Sequence, residues 1–433
     1  MGANVNVAAL AGNFKEAYPD GVRILYPDVA KLQKEIGDLT ESERVGNKYH
    51  QPVILTKEQG YTYGGNVGDA YALNTPVAMS MADAQLEGSE GTLRSRISVR
   101  AASKAVGSAK AFKATAGLVI KSNLASHGLR KELEMWYGRS PTGIAATSAG
   151  TADSGTQETV TITAATWAVG IWSGQEGATL NAFRIDTGAL ISSAADAIFT
   201  VTSIDPDNKK VTLTGTSTGC TALHAQVTQL YLDFAGARTT NFTTYAASEG
   251  VDYALTLASG NTLWNISTTN SLWRGTQHSC ASGALTFGKV MAGMNKAVGK
   301  AGLDTGVSLF VSTDTWPSLA DSFNAGRTVD SSYKEEIGVS GVAKLRYIGP
   351  NGKIDVIPHS VIKGGEAFAL PITDGIVKKI GSSDITLNNP GRADEIFLNL
   401  PDNNGYEFRS YSDMTIFIAE PAKCLKFGSI VNP

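Results

Sequence analysis

The chain has 433 residues, of which 42% are hydrophobic and 18% charged, with a formal net charge of −3. That is too apolar for a disordered polypeptide and long enough for several cores without disulfide staples. It also excludes nonspecific nucleic-acid binding driven by global charge. At about 150 residues per domain the length predicts two to four domains. Cys220, Cys280 and Cys424 are odd in number and far apart, so they read as three buried thiols rather than a disulfide framework or a zinc or redox site. No apolar run reaches the length of a membrane span, and the first residues lack the pattern of a signal peptide; a soluble protein of a reducing compartment is expected.

In chain order, residues 1–45 read as a short polar arm with one brief amphipathic helix after Pro27, Val29, Leu32 and Ile36 sharing a side. Residues 46–101 read as a long extended excursion. Its outgoing limb is Gln51–Tyr63, glycines 60, 64, 65 and 68 loosen its middle, and its return limb runs from Thr92 to Arg100. In that limb Leu93, Ile97 and Val99 alternate with Arg94, Arg96 and Arg100, giving an apolar face and an arginine face. Asp69, Asp83, Glu87 and Glu90 make the excursion's tip acidic. From Arg94 to Lys131 there are nine basic residues, among them Lys104, Lys110, Lys113 and Lys121, and no acid. Adjacent segments of opposite sign suit either head-to-tail contacts between copies or a solvated basic face.

Residues 102–137 predict the longest helix, with a stripe of alanines around Phe112, a bend or break at Gly128, and Gly138 as its C′ residue. Residues 141–240 predict an inserted all-β module with strands at 158–164, 166–172, 179–185, 197–204, 210–215 and 227–234. Its clearest hairpin turns at Asp205-Pro-Asp-Asn208. Trp264 and Trp273 are candidate anchors. A second helix is expected over 284–303, closed by Gly302, then a buried strand Val307–Val311 and a short helix through Phe323. Short strands and turns fill 324–400. The end carries a long strand, Tyr406–Ile418, with Tyr406, Phe408, Met414, Ile416 and Ile418 on its apolar face, then a last strand over 422–431.

The sequence holds no P-loop, H-E-x-x-H or G-x-S-x-G motif, and the five histidines have no metal partner at i+3 or i+4. No catalytic, cofactor or metal residue is assigned, which turns the reading from catalysis to structure and interaction.

This order of parts resembles the major capsid protein of tailed bacteriophages, the Hong Kong 97-like α+β fold. The terminal run YEFRSYSDMTIFIAEPAKCLKFGSIV resembles that family's closing strands, and AIFTVTSIDPDNKKVTLTG a hairpin of its larger coat proteins. The resemblance implies an N-terminal arm (1–45), an E-loop (46–101), a spine helix of the peripheral domain (102–140) and a β-rich insertion (141–240). It further implies a peripheral segment leading into the axial domain (241–323), the axial domain (324–400) and closing peripheral strands (401–433). The implied function is self-assembly into pentamers and hexamers of an icosahedral virion shell around double-stranded DNA, built in the bacterial cytoplasm. The arm is too short for a fused scaffolding extension, so a separate scaffolding protein is expected, with a portal and a possible cement protein as further partners. DNA would be held by diffuse contact, and no membrane is involved. Some relatives bond an E-loop lysine to an asparagine of another subunit, and Lys48 and Lys57 lie in that region. Arg94, Arg96 and Arg100 would then be inter-subunit contacts. The competing readings are a tail-tube or surface-layer subunit and an enzyme with a β-rich binding domain; the long helix behind an extended loop argues against the former.

Overall fold

The computed structural model describes residues 30–36, 44–45, 48–65, 70–98, 109–145, 155–226, 229–238, 245–327, 345–387, 397–400 and 404–432. The chain is mixed α+β. Helix α1 (Lys31–Ile36) buries Leu32, as the arm's periodicity predicts; Val29 lies outside the described residues. Strand β1 (Arg44–Val45) joins β2 (Lys48–Thr56), which pairs antiparallel with β3 (Ser80–Leu86) from Tyr49↔Leu86 to Thr56↔Ser80. These two strands are the ribbon of the excursion, so its return limb is Ser80–Leu86.

The strand expected in that role, β4 (Glu90–Ser98), lies elsewhere. It pairs along its whole length with the long strand Gly405–Ile418, from Asp413↔Glu90 to Gly405↔Ser98. The physical reason is its buried face: Ile97 packs with Phe408 against Val119 and Ile120 of the long helix. An alternating apolar face is stable on a helix-backed sheet and costs free energy on a bare two-stranded ribbon.

That helix, α2 (Ala109–Tyr137), has 29 residues and is about 44 Å long. It runs through Gly128 without a break. Its end differs from expectation: the left-handed residue is Arg139, at φ 62°, not Gly138. Gly138 is needed for close approach instead, because a Cβ there would lie 2.2 Å from the Ser248 carbonyl oxygen.

The β-rich module comprises β5 (Gly143–Ala145), β6 (Gln157–Thr161), α3 (Val169–Trp172), β7 (Thr179–Arg184), β8 (Ile198–Asp205), β9 (Lys210–Thr214), α4 (Ser217–His224) and β10 (Leu230–Phe234). Its sheet order is β5-β10-β7-β8-β9-β6, and a bridge from Ala145 to Ile162 joins the two edges, closing the sheet into a small barrel. Val160, Leu180, Phe199, Leu213, Leu230 and Leu232 are buried in its core. The β8–β9 hairpin forms at the predicted turn, where the Asp205 carboxylate accepts hydrogen bonds from the Asn208 backbone N–H and Nδ2. The strand expected at 166–172 is a turn followed by α3. Thr163 initiates that turn, its carbonyl accepting from the N–H groups of Thr166 and Trp167. Helix α4, absent from the sequence reading, is capped by Thr216, whose Oγ1 accepts from the Gly219 N–H.

Beyond the barrel come α5 (Val251–Thr256), β11 (Thr262–Leu263), β12 (Ile266–Ser267), β13 (Thr276–Gly283), α6 (Phe287–Ala301), β14 (Val307–Val311) and α7 (Thr315–Arg327). They are followed by β15 (Leu345–Gly349), β16 (Gly352–Pro358), β17 (Ala367–Leu370), β18 (Val377–Thr386), β19 (Leu398–Asn399), β20 (Gly405–Ile418) and β21 (Leu425–Ile430). Helix α6 ends at Gly302 in the left-handed region, as predicted. A second six-stranded sheet has the order β13-β21-β17-β14-β16-β15. It draws strands from all three segments read separately as 241–323, 324–400 and 401–433, so this unit is not one run of sequence. The closing segment divides. Strand β20 lies between β18 and β4 in the sheet that packs on α2, whereas β21 crosses to pair with β13 and β17. Tyr406, expected on the apolar face of β20, is exposed.

Candidate functional site

The ribbon is held at its root and bare at its tip. At the root Tyr49 and Leu86 are buried; the Tyr49 and Trp264 rings lie 5.2 and 5.0 Å from the Phe417 ring. The β11–β12 turn has Trp264 and Asn265 both at positive φ, the geometry of a tight hairpin turn. It clasps β3: the Gln85 N–H donates to the Trp264 carbonyl (3.0 Å), and Asn265 Nδ2 to the Asp83 carbonyl (3.3 Å). Trp264 and Trp273 are thus both buried anchors.

Toward the tip the pattern reverses. Tyr61, Tyr63 and Leu73 are 76%, 87% and 79% exposed, and Ile54, Tyr71, Val77, Met79 and Met81 are exposed with them. Among the described residues the tip's own internal contacts include a Gln59–Val77 bridge, hydrogen bonds from Asn74 to Thr62 and Tyr61, an edge-on Tyr61–Tyr63 pair and the Tyr71 ring lying over Gly64. Exposed apolar side chains gathered in this number on one ribbon mark a contact site.

The acids expected at the tip lie at the root where they are described. Asp83 accepts a hydrogen bond from His50 (2.6 Å), which holds its carboxyl below the usual carboxylate range. Glu87 faces Lys48 across the ribbon base at 3.8 Å, and Glu90 begins β4. Asp69, Arg100 and Lys104 lie outside the described residues, as do the side chains of Lys110 and Lys113; Lys121 is exposed on α2.

Arg94 and Arg96 meet a partner within the chain. Their Nε atoms lie 3.5 and 3.3 Å from Oε2 of the buried Glu407, while Arg409 Nε donates to its Oε1 at 2.6 Å. One carboxylate therefore serves three guanidinium groups, Arg94 and Arg409 remaining about half exposed. Sequence reading missed Glu407; its signal was an acid at alternate spacing with Arg409 in β20. Replacing Glu407 with Gln should lower stability by about 1–3 kcal/mol, since the arginines then repel one another beside a neutral amide. Urea unfolding of the variant checks this.

On the opposite face, α2 meets the sheet through polar groups. Asn123 Nδ2 donates to Ser95 Oγ (2.9 Å), and His127 hydrogen-bonds to Ser410 (2.7 Å) and Ser412 (2.9 Å). Lys131 Nζ donates to the Ser89 carbonyl and to Glu134, both at 2.8 Å. Burial, and then the Lys131 ammonium, push His127 down to about 4, against a smaller upward pull from Glu134. The unfolded chain takes up that proton near pH 6.5 and the folded chain only near 4, so the fold loses stability as pH falls through this window. The melting temperature should drop between pH 6.5 and 4, and His127→Asn should flatten part of that drop.

Two adjoining cavities, about 500 and 660 Å³, share Ser89, Glu90 and Arg139 between the ribbon root and the barrel. Arg139 pairs there with Glu249, and Arg130 stacks 3.4 Å over the Phe234 ring. No group of His, Cys, Asp or Glu able to hold a metal ion occurs among the described residues.

No family model matches the chain, and no curated protein matches it by sequence. Solved structures do resemble it over nearly its full length. A cyanophage A-1(L) capsid subunit is 11% identical with a TM-score of 0.49, covering 94% of this chain and 97% of that one. A subunit of the native GTA particle capsid is 10% identical with a TM-score of 0.46, covering 98% of each chain. A chain from Mycobacterium phage Bobi is 9% identical with a TM-score of 0.43, covering 100% of each.

Proposed function

We propose that this chain is the major capsid protein of a tailed bacteriophage, a tile that builds pentamers and hexamers of an icosahedral shell around double-stranded DNA. The observation that carries this reading is the ribbon: anchored at its root in its own subunit, it presents an apolar tip that the described residues of its own chain leave bare. A two-stranded ribbon is marginal by itself in water, and a lattice of copies supplies the missing surface. Contacts between unlike faces close into rings when the rotation permits.

On this reading the ribbon is the E-loop and α2 the spine helix. The β4-β20-β18 sheet with α2 is the peripheral domain, the second six-stranded sheet the axial domain, and the barrel an insertion. Arg94, Arg96 and Arg409 face a neighbouring copy with two positive charges more than Glu407 neutralises. The role is structural rather than catalytic. The expected partners are further copies, a separate scaffolding protein, a portal and a cement protein, with assembly in the host cytoplasm and residence in the virion.

Negative-stain imaging of the purified chain tests this. Closed shells, alone or with scaffolding protein, are the expected result. Open tubes, flat sheets or a stable monomer under every assembly condition would overturn it.

A further inference from the structure

We infer that Glu132 is the receptor that docks the N-terminal helix α1 onto the subunit, and that this docking works as a latch governed by one buried charge. Glu132 projects from α2 and is fully buried, as is His359, at the end of β16. Oε1 of Glu132 accepts from the Leu32 N–H (2.7 Å), Trp136 Nε1 (3.2 Å) and His359 Nε2 (2.9 Å), and Oε2 accepts from the Gln33 N–H (3.2 Å).

The protonation states follow from the donors. Both Glu132 oxygens face N–H groups, and no acceptor for a carboxyl proton lies against either among the described residues, so Glu132 accepts as a carboxylate. The Val361 N–H donates to His359 Nδ1 (3.2 Å), which makes Nδ1 the acceptor and puts the imidazole proton on Nε2. His359 is then neutral, and no Lys or Arg pairs with Glu132 among the described residues. A buried negative charge is therefore satisfied by four N–H donors, of which α1 supplies two.

Three further contacts seat the same helix. Leu32 is fully buried, Lys31 Nζ donates to the Pro358 carbonyl (2.7 Å), and Gln33 Nε2 to the Gly128 carbonyl (2.9 Å). Withdrawing α1 strips the carboxylate of half its N–H donors, which is costly for a charge held in the subunit's interior. The charge and the docked helix thus hold each other in place. A neutral amide at 132 removes that coupling, because its NH₂ group would meet an N–H donor.

Trypsin supplies the test, since Lys31 and Lys34 lie on α1. Glu132→Gln, and separately Leu32→Glu, which sets a like charge against the receptor from the helix side, should speed cleavage after Lys31 and Lys34 by about tenfold or more. Cleavage elsewhere and the melting temperature should change little. Cleavage at those lysines as slow as in the parent, or faster only in step with global unfolding, would overturn the latch. So would failure of both variants to fold, which would make α1 part of the core. The digestion is read on the free subunit, so its outcome is independent of whether shells form.

Discussion

A chain with Ser in place of Tyr61, Tyr63 and Leu73 should remain a folded subunit and fail to assemble. The three side chains are largely bare, so the single subunit loses almost no buried area and its melting temperature should match the parent's. In a shell each would be covered, and covering one such side chain contributes roughly 1.5–3 kcal/mol. Losing three removes at least about 4 kcal/mol per contact, a factor of about a thousand in affinity, repeated at every subunit. Sedimentation of the variant beside the parent reads the result: a slow monomer peak is expected, and normal shells would show that the tip is not the contact.

The second large effect is on the fold. Lys426 on β21 donates to Glu366 (2.7 Å) and to Asp252 on α5, in a buried cluster that also holds Lys363 and Tyr137. This cluster stands where the end of α2, the entry to the barrel and the second sheet meet; Lys363 Nζ donates to the Pro141 carbonyl (2.6 Å), and the Lys363 N–H to the Tyr137 hydroxyl (3.0 Å). Burial alone would raise the Asp252 carboxyl, but the Lys426 and Lys363 ammonium groups outweigh it and hold the carboxyl below its usual range. Burial lowers Lys426 too, and Glu366 with Asp252 more than reverses it. Lys426→Ala leaves the buried Asp252 and the partly buried Glu366 with one cation and should cost about 3–5 kcal/mol, read as a lowered urea midpoint. The same direction predicts acid sensitivity: a lowered Asp252 pKa contributes stability above its unfolded value that is lost as pH falls through the folded one.

Much of this architecture is legible in the residues. The helical spacing behind α2, the β8–β9 hairpin with its Asp205–Asn208 turn, Gly302 closing α6 and the alternation along β20 are local patterns, and local patterns survive folding. The ribbon's return limb was not legible because Ser80–Leu86 is Ser-Met-Ala-Asp-Ala-Gln-Leu, with no β-branched residue and small alanines on its buried side. The stronger alternation of β4 drew the assignment, although that alternation is the mark of a strand backed by a helix. Strand β21 reads correctly as a strand, but its partners β13 and β17 follow from tertiary packing, which no window of sequence contains. The buried charges were hidden for the same reason. Glu132 and His359 are 227 positions apart, and the local sign was an acid on the stripe of Leu129, Leu133 and Trp136. His127 finds its partners in Ser410 and Ser412, two serines on what otherwise reads as an apolar face.

Hydrogen–deuterium exchange across residues 57–79, compared between free subunits and assembled particles, tests the central claim most directly. The predicted result is fast exchange in the free subunit and strong protection after assembly, with the β2–β3 root protected in both. Equal exchange at the tip before and after assembly would contradict the claim that a sibling subunit covers it.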